Sequence, residues 1–205
     1  MRIVGITGGI GSGKTLICKV FATLGIPVFH ADDEARSLYE TRPEILQQLA
    51  GLFGQDLIEN NGLNKARLAG IVFNDPQKLQ QLNQLIHPAV GELFRAWVFR
   101  QNAPYVLREA AILLESGSYH DCDDIILVTA PESIRVKRVM KRSQLSESEI
   151  RMRMSRQWSD DQKRVYANYE IRNDDASLLI PQILSIHQKL LQNERNRNPK
   201  DEILP

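Results

Sequence analysis

Gly8-Gly9-Ile10-Gly11-Ser12-Gly13-Lys14-Thr15 decides how the rest of the chain is read. The octet satisfies G-x-x-x-x-G-K-[ST], and its flanks are the ones the motif requires. An apolar β-rich run, Arg2 to Ile6, precedes it, and a helical pattern from Lys14 to Leu24 follows. In that setting glycines let successive backbone N–H groups turn toward a phosphate, and the helix N-terminus adds about half a positive charge. Gly9, Gly11, Ser12, Gly13 and Lys14 are therefore candidate phosphate ligands, and the Thr15 hydroxyl is a candidate ligand of Mg²⁺. A nucleoside triphosphate with magnesium is the expected occupant.

Outward from this loop, strands and helices alternate. Leu16, Val20, Phe21 and Leu24 share one helical face, and Gly25 stops the helix. Ile26 to Phe29 reads as a second strand that delivers His30, Ala31 and Asp32 at its carboxyl end. Further strand-length runs lie at Tyr105 to Leu107, Ile125 to Thr129 and Tyr169 to Ile171, with helical patterns between them. Such alternation implies an α/β fold with a parallel sheet covered on both faces.

Two helical regions interrupt it. Residues 34–102 exceed what one crossover needs and are expected to form a helical insertion walling a cleft. Within it Asp75-Pro76 reads as an N-cap with proline at the first helical position, and Asn60-Asn61-Gly62 as a turn. Residues 135–164 read as a helical lid in which Ser146 to Glu149 is a capping box. The expected organisation is one domain: a core of about 1–33, 103–134 and 165–192, the insertion, the lid and a frayed tail, 193–205.

Composition narrows the partners. The 205 residues are 42% hydrophobic and 25% charged with a formal charge of +1, so no global field marks a nucleic-acid or membrane binder. Cys18 and Cys122 fit neither a disulfide framework nor a metal pattern, which favours a reduced, cytoplasmic setting; Cys18 reads as a small core residue. No export leader and no run of ~18 to 20 apolar residues is visible. A monomer or weak homo-oligomer acting on small molecules is expected.

Four further features bear on chemistry. Ligands of open α/β sheets gather beyond the carboxyl ends of the strands. There Asp32 is placed to orient and deprotonate an acceptor hydroxyl, although Asp32 or Asp33 is equally suited to cap a helix beginning at Glu34. Glu109, at the end of the third strand, reads as a water-mediated magnesium ligand or as a surface partner of Arg108; Glu115 reads as a structural pairing partner. Residues 135–164 carry ten basic against four acidic side chains. A nucleotide lid, a solvated face and a nucleic-acid patch are the readings of that charge; sparse aromatic residues disfavour the last. His87, before Pro88, is placed at a helix start and defaults to a structural histidine. A guanine-reading N-K-x-D is absent, so a compact small-molecule kinase fits best.

The motifs in order resemble those of the dephospho-CoA kinase family over nearly the whole chain. Ile6 to Lys14 is similar to its form of the loop; Leu24 to Val28, Ala31-Asp32 and Ala35-Arg36 to its second-strand signature; His87 to Val90 to its H-P-x-V. Glu109 to Glu115 stands where the family has an acid followed by P-L-L-F-E, and Arg138, Arg142, Arg153, Gln157, Lys163 and Asn173 occupy its late positions. The resemblance implies a five-stranded P-loop fold and transfer of phosphate from ATP to the ribose 3′-hydroxyl of dephospho-CoA. It implies Asp32 as base, Lys14 as phosphate clamp and Arg142 as a lid arginine. Arg138, Asn173 and Leu16 would lie at the nucleotide, and Arg36 and His87 at the acceptor. His30 replaces the first acid of the usual D-A-D, Leu16 a usual Ser or Thr, and Glu109 the common Asp.

Overall fold

The computed structural model describes residues 1–59, 62–73 and 75–197, with side chains to 192 apart from that of Phe73. It divides into two compact units, residues 1–29 with 101–205 and residues 30–100.

The first unit is built on a five-stranded parallel sheet in the order β2-β5-β1-β6-β7, comprising β1 (Arg2–Thr7), β2 (Val28–His30), β5 (Tyr105–Glu109), β6 (Asp124–Thr129) and β7 (Tyr169–Arg172). β1 lies centrally, pairing Ile6 with Glu109 on one side and with Ile126 on the other. Both faces of the inner strands β1 and β6 are buried, which is why they read as apolar runs. Val4 and Ile6 point to one face, where α1 (Lys14–Thr23) and α9 (Leu179–Arg197) bring Ile17, Phe21, Ile183 and Leu190. Each fully buried aliphatic or aromatic side chain there contributes roughly 1.5 to 3 kcal/mol. Gly5 points to the other face; a Cβ there would lie 2.5 Å from Leu113, so the missing side chain makes room for the segment after β5.

After β6 come α6 (Glu132–Arg142), α7 (Glu147–Met154) and α8 (Asp160–Arg164). Ser146 forms the capping box expected with Glu149, and Ser159 forms a second one with Gln162. Val136 and Val139 of α6 pack with Ile150 of α7, and Ile10 of the glycine loop joins this cluster.

The second unit contains α2 (Ala31–Thr41), α3 (Pro43–Phe53), the two-residue strands β3 (Ile58–Glu59) and β4 (Gly62–Leu63), α4 (Lys65–Phe73) and α5 (Pro76–Phe99). Asp75 caps α5, accepting from the N–H groups of Gln77 and Lys78, with Pro76 at the first turn as expected. Of the expected turn at 60–62, Asn60 and Asn61 lie outside the described residues, as does the tail beyond Arg197, to which α9 continues.

Four expectations change. The second strand begins two residues later and ends one later than expected, at Val28–His30, and α2 begins at Ala31 rather than Glu34. Leu16 is 52% exposed, because the buried face of α1 runs through Ile17, Cys18 and Phe21. Pro88 lies inside α5 rather than at its start, since the Asp75 cap nucleates the helix three turns earlier. A proline there cannot return an N–H to the preceding turn and costs about 3 kcal/mol, which burial of the flanking Ile86, Ala89 and Val90 offsets.

Candidate active site

The glycine loop joins β1 to α1, and its backbone explains its composition. Gly13, the N-cap of α1, has φ 95°, and a Cβ on it would stand 2.1 Å from Asn173 Nδ2. Gly11 has φ 80°, and a Cβ there would stand 2.6 Å from the Arg135 carbonyl oxygen. Both positions exclude side chains by dihedral and by space.

Asn173, the residue after β7, is buried and anchors the loop: its Nδ2 donates to the Ser12 carbonyl at 2.7 Å, and its own N–H donates to Thr129 O at 2.8 Å. Lys14 is 8% exposed and its Nζ donates to Gly8 O at 2.8 Å, folding the ammonium back over the loop. Ser12 Oγ is buried with no hydrogen-bond partner among the described residues. A buried hydroxyl is normally paired, so the orphan in a cradle of glycines and a lysine fits the oxygens of a phosphate chain.

The helices after β6 close on this loop. Arg138 donates to Asn173 Oδ1 at 3.1 Å and pairs with Asp175, so it is drawn to the Asn173 side of the cradle. Arg142, one turn on, ends α6 and is exposed. Arg135 lies against Gly9 and pairs with Asp160 at 3.7 Å; burial raises the Asp160 carboxyl above its usual value while the nearby Arg135 opposes that shift. Gln157 Oε1 accepts the N–H of Ile10 at 2.8 Å. A cavity of about 420 Å³ opens beside these groups, lined by Arg135, Met154, Gln157, Trp158 and Asp160 among others.

Thr15 is exposed in the first turn of α1, and Glu109, half-buried, ends β5. One hydroxyl with one carboxylate suits Mg²⁺, which keeps several waters and takes its other ligands from phosphates. Among the described residues no cluster of three or more His, Cys, Asp or Glu could hold a metal. Arg108 donates to Asp121 at 3.1 Å. Glu115 is indeed a pairing partner, bound to the fully buried Lys163 at 2.9 Å.

In the helical unit, Asp32 is exposed in the first turn of α2, beside Asp33 and Glu34. Neither aspartate is the cap, a position His30 holds without a side-chain capping bond to the helix; Asp33 instead pairs with Arg36 at 2.8 Å. His87 is half-buried within α5, which packs against α2. Sequence reasoning assigned no site role to Arg135, Gln157 or Lys163. Their partners lie 25 to 147 residues away, and only the charge density of 135–164 and the family positions of Gln157 and Lys163 hinted at them.

Comparison with known proteins places the chain among relatives of one family. A family model described as dephospho-CoA kinase matches residues 2–178. A dephospho-CoA kinase of Porphyromonas gingivalis is 38% identical over 99% of this chain and 100% of its own, and one of Chlorobaculum tepidum is 38% identical over 92% and 95%. The crystal structure of a Thermus thermophilus protein superposes with a TM-score of 0.82 at 32% identity, over 94% of this chain and 97% of that one.

Proposed function

The chain belongs to the dephospho-CoA kinase family, and from that membership we propose how its residues divide the work. The reaction is the ATP-dependent phosphorylation of dephospho-CoA that completes CoA synthesis. One observation carries the nucleotide half of the reading: a buried, unpartnered Ser12 hydroxyl in a loop whose glycines leave no room for side chains.

The loop amides and Ser12 grip the phosphates of ATP, Lys14 swings from Gly8 O to the outer phosphates, and Arg138 with Asn173 and Leu16 border the nucleotide. Thr15 and, through water, Glu109 would hold Mg²⁺, which when bound neutralises charge on the phosphates. Asp32 takes the proton of the ribose 3′-hydroxyl as that oxygen attacks the γ-phosphorus and ADP leaves. Its position just beyond the carboxyl end of β2 and its exposed carboxylate support the role. Arg36 and His87, in the same helical unit as Asp32, bind the acceptor. Arg142 meets charge developing on the transferring group when the α6–α7 segment closes as a lid. Dependence on the ATP pool supports a cytoplasmic setting. No helix of the described residues is long and apolar enough to cross a membrane.

Coupled detection of ADP with ATP, Mg²⁺ and a panel of hydroxyl acceptors tests this. Release is expected with dephospho-CoA and at background with nucleosides and sugar acids; preference for one of those would replace the acceptor assignment.

A further inference from the structure

Gln157 is held by its backbone and by its side chain. Its backbone N–H donates to Met154 O at 3.0 Å, ending α7, and the next amide, that of Trp158, donates to Glu115 Oε1 at 2.9 Å. These two bonds fix the peptide planes on either side of Gln157, and so the direction in which its side chain leaves the chain. That direction brings its carboxamide oxygen to the N–H of Ile10, in the middle of the glycine loop.

Glu115 can serve as the outer anchor because a second charge makes it tolerable. It is 13% exposed, and a carboxylate so placed is costly unless paired. Lys163 supplies the pair from a side chain with no exposed surface; its Nζ donates to Glu115 Oε1 at 2.9 Å and to Ala111 O at 3.1 Å. Ala111 O lies 3.5 Å from the hydroxyl of Thr7, the residue before the loop. The network thus runs from Thr7, just before the phosphate cradle, to Ile10 within it, and the Ile10 side chain is meanwhile seated among Val136, Val139 and Ile150.

We propose that Glu115, neutralised by Lys163, positions Gln157 so that its carboxamide locks the Ile10 amide and presets the loop for a triphosphate. Glu115, Lys163 and Gln157 are positioning residues: they order, before binding, a segment flanked by glycines that would otherwise be ordered at the expense of affinity. The inference rests on the nucleotide site assigned above and extends it to residues that touch no substrate.

Calorimetric titration with Mg·ATP, without acceptor, tests it on the intact chain. Gln157→Met keeps the length and removes the acceptor oxygen. It is expected to weaken ATP about fivefold, the worth of one net hydrogen bond, to raise KM for ATP alike and to leave kcat within about twofold. Hydrogen exchange of the ligand-free loop at Ile10 is expected to quicken by a similar factor. Glu115→Met, which removes the acceptor of the Trp158 N–H, is expected to reproduce both effects, and the double variant to be no worse than either single one. Should Glu115→Met fail to fold with Lys163 unpaired, Glu115→Met combined with Lys163→Met takes its place in the cycle. Unchanged or tighter ATP binding in Gln157→Met would overturn the proposal, tighter binding marking Gln157 as a competitor of phosphate; additive losses would break the link to Glu115. A chain that binds ATP in this Gln157-dependent way but phosphorylates no dephospho-CoA would leave the relay standing and remove the acceptor reading instead.

Discussion

A Cβ placed on Gly13 would collide with Asn173 Nδ2 at 2.1 Å, whereas one placed on Gly51 of α3 or Gly70 of α4 would meet nothing within 4 Å. The same residue type serves opposite ends in the two units. In the phosphate loop, glycine is the only side chain that lets a left-handed backbone pass under Asn173 and Arg135. In the helical unit, glycine is conformational slack in helices that would form better without it. The candidate residues follow the same division. Lys14 and Asn173 are buried and tethered to loop carbonyls, while Asp32 and Arg36 stand exposed on a helical turn. Rigidity is concentrated in the glycine loop, the proposed phosphate site; the residues proposed for the acceptor, Asp32 and Arg36, stand on open helical surface.

Substitutions that exchange the two kinds of position break this contrast most sharply. Asp32→Asn is expected to give the largest loss, lowering kcat by roughly 10²- to 10⁴-fold with little change in ATP affinity, measured by steady-state kinetics beside calorimetry. An unchanged kcat would remove Asp32 from the mechanism. Gly13→Ala is expected to weaken ATP about 100-fold. Roughly 1 to 2 kcal/mol of left-handed strain adds to the loss of the Asn173 bond to Ser12 O, worth about 1 kcal/mol. Retained affinity would show that the loop has room it lacks here. Arg142→Ala is expected to slow transfer about tenfold at saturating substrates, and normal turnover would return Arg142 to the solvated surface. Gly70→Ala is expected to be the mildest and opposite in sign. It should raise stability by about 0.5 to 1 kcal/mol and Tm by about 2 °C with kinetics unchanged.

What the chain revealed in advance was local. The glycine loop, the Asp75 cap and the Ser146 box each depend on at most eight consecutive residues, so spacing alone identifies them. The inner parallel strands were legible because burial on both faces leaves apolar runs. Pro88 misled because an X-Pro pair usually marks a boundary, and only the packing of Ile86 and Val90 tells that this helix runs through it. Leu16 misled because one apolar residue more or less does not fix the rotation of a short helix. The clasp of Gln157 on Ile10 spans 147 residues and the Arg135–Asp160 pair joins separate helices, so neither leaves a periodic trace. Both exist only once α6, α7 and α8 are laid beside the loop.

Incubation with ATP, Mg²⁺ and dephospho-CoA, followed by ³¹P NMR of the purified product, reads directly whether the ATP γ-phosphoryl group reaches one hydroxyl of dephospho-CoA. The expected spectrum gains one phosphomonoester resonance, on the ribose 3′-oxygen, in a one-to-one ratio with the ADP formed. ADP and inorganic phosphate appearing beside unaltered dephospho-CoA, or a phosphate on another oxygen, would contradict it.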